Sequence, residues 1–174
     1  MKHLWIAGLM LFGGMLLAGT DIDVNGKFAG SKVGDKEPKG WFFNTGIQSV
    51  GTGKVVQVGD ELAVQISSPS KEVHYYTRQL YPVAAGEKYE ISCDVVGTGK
   101  VGFAMYYYDG TRWSGLNYSP LVTLKSGEND VKFVFTVPAE VNGKALNNVR
   151  FAFRVSGACE VTFNDFEVEK EDAK

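Results

Sequence analysis

Soft metal ligands are scarce in this sequence, which holds two histidines and two cysteines among 174 residues. One of the histidines, His3, falls in an N-terminal apolar segment, so His74 stands alone in the remainder. A zinc centre draws on several His or Cys side chains, and this chain cannot supply them. Basic residues are not in excess either, since 18 Lys and Arg stand against 20 Asp and Glu. Nucleic acid is met by basic stripes and anionic membrane by polybasic patches, so neither partner is expected. Helical periodicity is nearly absent, and so are catalytic signatures. No nucleophile elbow accompanies His74. The carboxylates Glu72, Glu90, Asp94 and Asp109 sit in no motif that would set a hydrolytic pair at a fixed separation. The expectation is a protein that is not an enzyme and requires no cofactor.

The ends of the chain carry their own signals. Lys2 and His3 precede an apolar run over residues 4–18, with small residues at Ala18, Gly19 and Thr20. That is the pattern of a secretory signal peptide over residues 1–19. The run falls short of the roughly 20 apolar residues a membrane span needs, and Gly8, Gly13 and Gly14 interrupt it. The chain is therefore expected to be secreted, periplasmic or at the cell surface, with no membrane attachment after cleavage. The remaining 155 residues (174 less 19) suit one domain over residues 20–169, with a charged tail over 170–174. Without Lys2, 17 basic residues face 20 acidic ones, a balance near −3.

Export also permits a disulfide, and Cys93 and Cys159 share parity with the core residues of their segments. A bridge would contribute on the order of 4 kcal/mol in the chain-entropy account. Two buried thiols are the alternative, and the sequence leaves both open.

What the chain has in abundance is alternation. Short segments with a period of two are punctuated by turn residues about every ten positions, the signature of an antiparallel sandwich or barrel. Residues 55–58 and 62–66 flank Gly59-Asp60 as a hairpin. Residues 73–83 form a further strand. Tyr89, Ile91, Cys93 and Val95 alternate with Glu90, Ser92 and Asp94, and Gly97 and Gly99 then turn the chain into a strand over residues 101–108. Val131, Phe133, Phe135 and Val137 mark the next strand, Val149, Phe151, Phe153 and Val155 another, and residues 161–168 the last. In the strand at 101–108, Val101, Phe103, Met105 and Tyr107 form the core face. Gly102, Ala104, Tyr106 and Tyr108 form the other: a shallow floor of tiny residues beside an aromatic wall, on which something flat could lie.

The order of these pieces resembles a known group. Asn25-Gly26-Lys27-Phe28 and Pro38-Lys39-Gly40-Trp41 resemble the opening of secreted jelly-roll domains. Gln79-Leu80-Tyr81-Pro82-Val83 with the segment from Gly86 to Ser92 resembles their central strand pair, and Val137-Pro138-Ala139 with residues 161–168 resembles their closing segments. The group is the galactose-binding-like jelly rolls, similar to the carbohydrate-binding modules of secreted xylanases and glucanases. The resemblance implies an all-β, two-sheet antiparallel β-sandwich that binds a polysaccharide or oligosaccharide on a concave sheet face. It also implies a structural calcium ion near the N-terminal opening, held here through Asp165. This chain departs from that pattern at Asn164 and Ala29, where two carboxylates are missing.

On the face opposite the core, Tyr76, Arg78, Tyr106, Tyr108, Arg150 and Arg154 are the candidate ligand-binding residues. Trp113 joins them from a loop over residues 109–120. Sugar CH faces stack on aromatic rings, and planar guanidinium forks donate to hydroxyls or acidic groups. Two alternatives accompany glycan binding. One is a structural or adhesive sandwich that binds a protein partner; the weaker one is a jelly-roll polysaccharide lyase using Tyr and His.

Overall fold

A computed structural model describes residues 19–44, 51–70 and 72–172. Of the leader expected over residues 1–19, all but Gly19 lies outside them. Strands dominate, as the alternation requires. The first six are β1 (Thr20–Asp21), β2 (Trp41–Asn44), β3 (Thr52–Val58), β4 (Glu61–Ser68), β5 (Val73–Thr77) and β6 (Tyr81–Pro82). The long β7 (Lys88–Asp109) leads to β8 (Arg112–Tyr118), β9 (Val122–Thr123) and β10 (Glu128–Thr136). A small ribbon of β11 (Glu140–Val141) and β12 (Lys144–Ala145) precedes the long β13 (Asn148–Lys170). The Gly59-Asp60 hairpin joins β3 to β4 as expected, with Val58 opposite Glu61.

The protein is an all-β sandwich of antiparallel strands, and its two layers are made by two strands that belong to both. β7 and β13 pair from Tyr89 opposite Lys170 at one end to Tyr108 opposite Asn148 at the other. The first half of β7 is flanked by β10 and the second by β8 and β9. Likewise β13 carries β5 and β6 on its first half and β4 on its second. Folding this ribbon over brings its halves face to face: the Phe103 ring meets Phe166 at 5.8 Å and Tyr89 meets Phe151 at 5.6 Å. The core between them holds Val101, Phe103, Met105 and Tyr107, all fully buried.

Three expectations about punctuation are corrected here. Gly97 and Gly99 do not turn the chain; they crease a strand that continues. Their φ angles are +137° and +125°, and a Cβ would lie 2.0 Å from the Glu160 carbonyl oxygen at Gly97 and 2.6 Å from the Cys159 Cβ at Gly99. The glycines let β13 approach where its register shifts between Ser156 and Glu160. Residues 112–118 are a strand, β8, not a loop. The tail also begins later than expected, because Lys170 pairs with Thr20 and its ammonium meets Glu87.

Cys93 and Cys159 are both buried and free. Cys93 faces Val131 on β10, whereas Cys159 lies beside Gly99, six positions farther along β7. At about 3.3 Å of rise per residue, that separation exceeds the reach of a disulfide.

Candidate functional site

The outer face of the layer β8-β7-β13-β5-β2 gathers most of the predicted residues, because cross-strand partners project to the same side of a sheet. In register across it lie Tyr118 with Ala104, Ala104 with Ala152, Ala152 with Tyr76 and Tyr76 with Phe42. One step along, Leu116 pairs with Tyr106 and Tyr106 with Arg150; one step the other way, Arg154 pairs with His74.

The alanine floor is not vacant. Ala104 and Ala152 are fully buried in a cluster with Tyr106 and Tyr108, each 9% exposed, and with Tyr76, Leu80 and Leu116. The Tyr106 hydroxyl is hydrogen-bonded to His74 Nδ1, and to reach it the phenol must cross the Ala104–Ala152 pair. The flat object on the floor is thus the protein's own tyrosine.

Two neighbours hold that ring in place. Tyr76 lies 5.3 Å from it, tilted by 33°. His74 is anchored by Glu72, with Nε2 2.8 Å from Oε1. A carboxylate only accepts, so Nε2 donates, and in the neutral imidazole Nδ1 accepts from the Tyr106 hydroxyl. The bond from His74 holds the Glu72 carboxyl below its ordinary range, and the nearby charge of Arg154 acts in the same direction. Burial pushes the Tyr106 phenol well above its usual value, and it stays neutral at physiological pH. Tyr118 also bonds Glu72, and Arg154 sits over its ring, with Cζ 4.0 Å from the centroid.

The three arginines are placed differently. Arg154 is 7% exposed, with Nη1 3.9 Å from Glu72 Oε2. Arg78 is exposed, bonds Glu37 and stacks on Phe42 at 3.8 Å. Arg150 stands among the rings of Tyr108, Phe42 and Tyr76 at 5.3, 5.5 and 5.6 Å. Trp113 pairs with Tyr108 across a bulge in β8 and is 55% exposed, at the rim.

Phe42, Glu72, Leu116 and Glu37 were missing from the sequence-derived set. For Phe42 a signal existed: it alternates with the core residues Trp41 and Phe43, which places it on the outer face. Glu72 too had a local signal, two residues from His74 and of the same parity, whereas Glu37 gave none, because its partner Arg78 lies 41 positions away.

The calcium expected from the resemblance can be tested at the N-terminal opening. Asp165 lies where the register of β13 against β7 shifts between Asn164 and Glu167, and its Oδ1 is 3.2 Å from Lys27 Nζ. The Asn25 amide donates to the Lys39 carbonyl at 2.7 Å and the Ala29 carbonyl at 3.3 Å. Among the described residues, no group of three His, Cys, Asp or Glu is placed to hold a metal ion. A hard dication needs several free oxygens with carboxylate charge. Here the carboxylate is neutralised by a lysine and the carbonyls are already bonded, so these residues do not fit calcium.

No protein-family model and no curated protein matches this sequence. Solved structures do resemble the fold. A cyclase from Fischerella sp. TAU aligns with a TM-score of 0.64 at 12% identity, covering 90% of this chain and 100% of the cyclase. The family 11 carbohydrate-binding module of a Clostridium thermocellum cellulosomal cellulase aligns at 0.57 and 12% identity, covering 90% of this chain and 98% of the module. A family 4 carbohydrate-binding module aligns at 0.54 and 19% identity, covering 84% and 98%. The fold is the jelly-roll sandwich of the carbohydrate-binding modules. Since a cyclase shares it, the fold alone does not separate a binder from an enzyme.

Proposed function

We propose that this chain binds carbohydrate without turning it over, on the outer face of the layer β8-β7-β13-β5-β2, after export directed by residues 1–19. What carries the reading is the company of aromatic and guanidinium groups on one face: Phe42, Tyr76, Tyr108, Trp113 and Tyr118 beside Arg78, Arg150 and Arg154. Of these rings Phe42, Tyr76, Trp113 and Tyr118 are left partly exposed and offer stacking faces for sugar CH groups, while Tyr108 is buried beneath them. The forks offer donors to hydroxyls. Tyr106 serves as the fixed floor under that surface. The Glu72–His74–Tyr106 chain is read as structural, since both ring nitrogens of His74 are already engaged.

The test is retention of the purified chain on a panel of immobilised glycans, alongside the variants Trp113→Ala and Tyr76→Ala. Retention of the parent and loss in the variants, at an unchanged melting temperature, supports the reading. A second reading, a protein partner, is favoured by one observation. Trp113, Tyr118, Leu121 and Val122 expose apolar surface along β8 and β9, between 36% and 55% each. Absence of binding to every glycan would shift the function to that strip.

A further inference from the structure

The three arginines of this face differ in one respect that bears on the ligand. Arg78 and Arg154 each have a carboxylate of the protein beside them, Glu37 and Glu72. Arg150 has none: among the described residues it makes no ion pair, and its buried Nε, like that of Arg154, has no hydrogen-bond partner. Its surroundings are the three rings of Tyr108, Phe42 and Tyr76. Ring faces attract a cation but offer its N–H groups no acceptor oxygen, and here they shield the Nε from water. A sugar hydroxyl would accept a hydrogen bond there and leave the charge uncompensated. An anionic oxygen group would do both, in the paired-donor geometry that guanidinium prefers.

We propose that Arg150 is an anion subsite and that the ligand of this face is an acidic glycan, its carboxylate or sulfate received by Arg150 while adjoining sugar rings lie on Tyr76 and Phe42. This rests on the glycan-binding reading above and narrows it to a ligand class. Arg150 then sets specificity, whereas Arg78 and Arg154, already compensated by Glu37 and Glu72, shape the surface around it.

The experiment compares three polymers on the purified chain: polygalacturonate for carboxylate, dextran sulfate for sulfate, and xylan as a neutral control. Binding is measured for the parent, Arg150→Gln and Arg150→Lys, each at low and high salt, with melting temperature as the check on folding. The expected result is that one acidic polymer binds more tightly than xylan. Arg150→Gln then weakens that binding tenfold or more and reduces its salt dependence. Arg150→Lys, which keeps the charge and loses the fork, weakens it by a smaller factor and covers the case in which the glutamine variant does not fold. Which acidic polymer responds distinguishes a uronate from a sulfate ester. Acidic binding that is equal in the parent and both variants overturns the proposal. Binding of xylan alone overturns it too, yet leaves glycan binding standing. Failure of all three polymers overturns the subsite and the glycan reading together.

Discussion

The two faces of the strand half at residues 101–108 make an instructive pair. Val101, Phe103, Met105 and Tyr107 are fully buried because a second layer closes over them. Ala104, Tyr106 and Tyr108 are nearly as buried without lying in that core, as a separate cluster on the outer side. Apolar packing closes the inner face, where the Phe153 and Phe163 rings stack at 4.1 Å. A hydrogen-bonded network closes the outer one, from Tyr106 through His74 to Glu72. Burial by area is non-directional and forgiving of substitution by similar shapes. Burial through a polar chain depends on every partner, since an unpaired group in a low-dielectric setting is costly.

The largest expected effect tests the inner face. Phe103→Ala should cost about 3–5 kcal/mol of unfolding free energy, the range for large-to-small changes in a closed core. Chemical denaturation measures it, and a cost below 1 kcal/mol would show that the layers do not pack as described. Tyr106→Phe keeps the ring over the alanines and removes only the hydroxyl, so it should cost about 1–2 kcal/mol by leaving His74 Nδ1 unpaired. If Tyr106→Phe proved as damaging as Phe103→Ala, the distinction between the faces would collapse.

Acid sharpens the comparison. Because the folded Glu72 carboxyl lies below its ordinary value of 4.5, its contribution is present above that pH and lost as pH falls through the lowered value. Glu72→Gln should therefore melt below the parent near pH 7, and the gap should narrow as pH falls below 4.5 and through the lowered value. The variant is the proper reference, because Asp94 works in the opposite sense. Partial burial and the carboxylates Glu128, Asp165 and Asp130 raise its carboxyl, so acid relieves it. A gap that persists at low pH would remove Glu72 from the network.

Smaller still is Trp113→Ala. A rim residue 55% exposed should change stability by no more than about 0.5 kcal/mol while glycan retention is lost. The smallest effect belongs to the N-terminal opening, where a chelator should leave the melting temperature unchanged. A clear fall would mean that a metal sits where Asn25 and Lys27 are described.

Much of the fold was legible because a strand writes its burial every second residue. The odd-numbered residues from Ile91 to Val95 and from Val101 to Tyr107 do point inward. The Gly59-Asp60 turn was also legible, since its residue types suit a tight reversal. The other glycines misled because glycine marks both a turn and a close approach. Gly97 and Gly99 are needed by Glu160 and Cys159, which lie some sixty residues away in the chain. Residues 112–118 read as a loop because Arg112, Trp113, Asn117 and the pair Ser114-Gly115 hide the alternation of an edge strand.

The candidate face divides in the same way. Parity alone put Tyr76, Tyr106, Tyr108, Arg150 and Arg154 on the side away from the core, because side-chain direction follows from a local backbone repeat. Which arginine would be compensated, and whether the alanine floor would be bare, depended on partners brought in by other strands. Glu37 reaches Arg78, Glu72 reaches Arg154, and His74 draws Tyr106 across Ala104 and Ala152. Local alternation decided the faces. Only the tertiary structure decided the charges and contacts on them, because those are set by distances between strands and not by order along the chain.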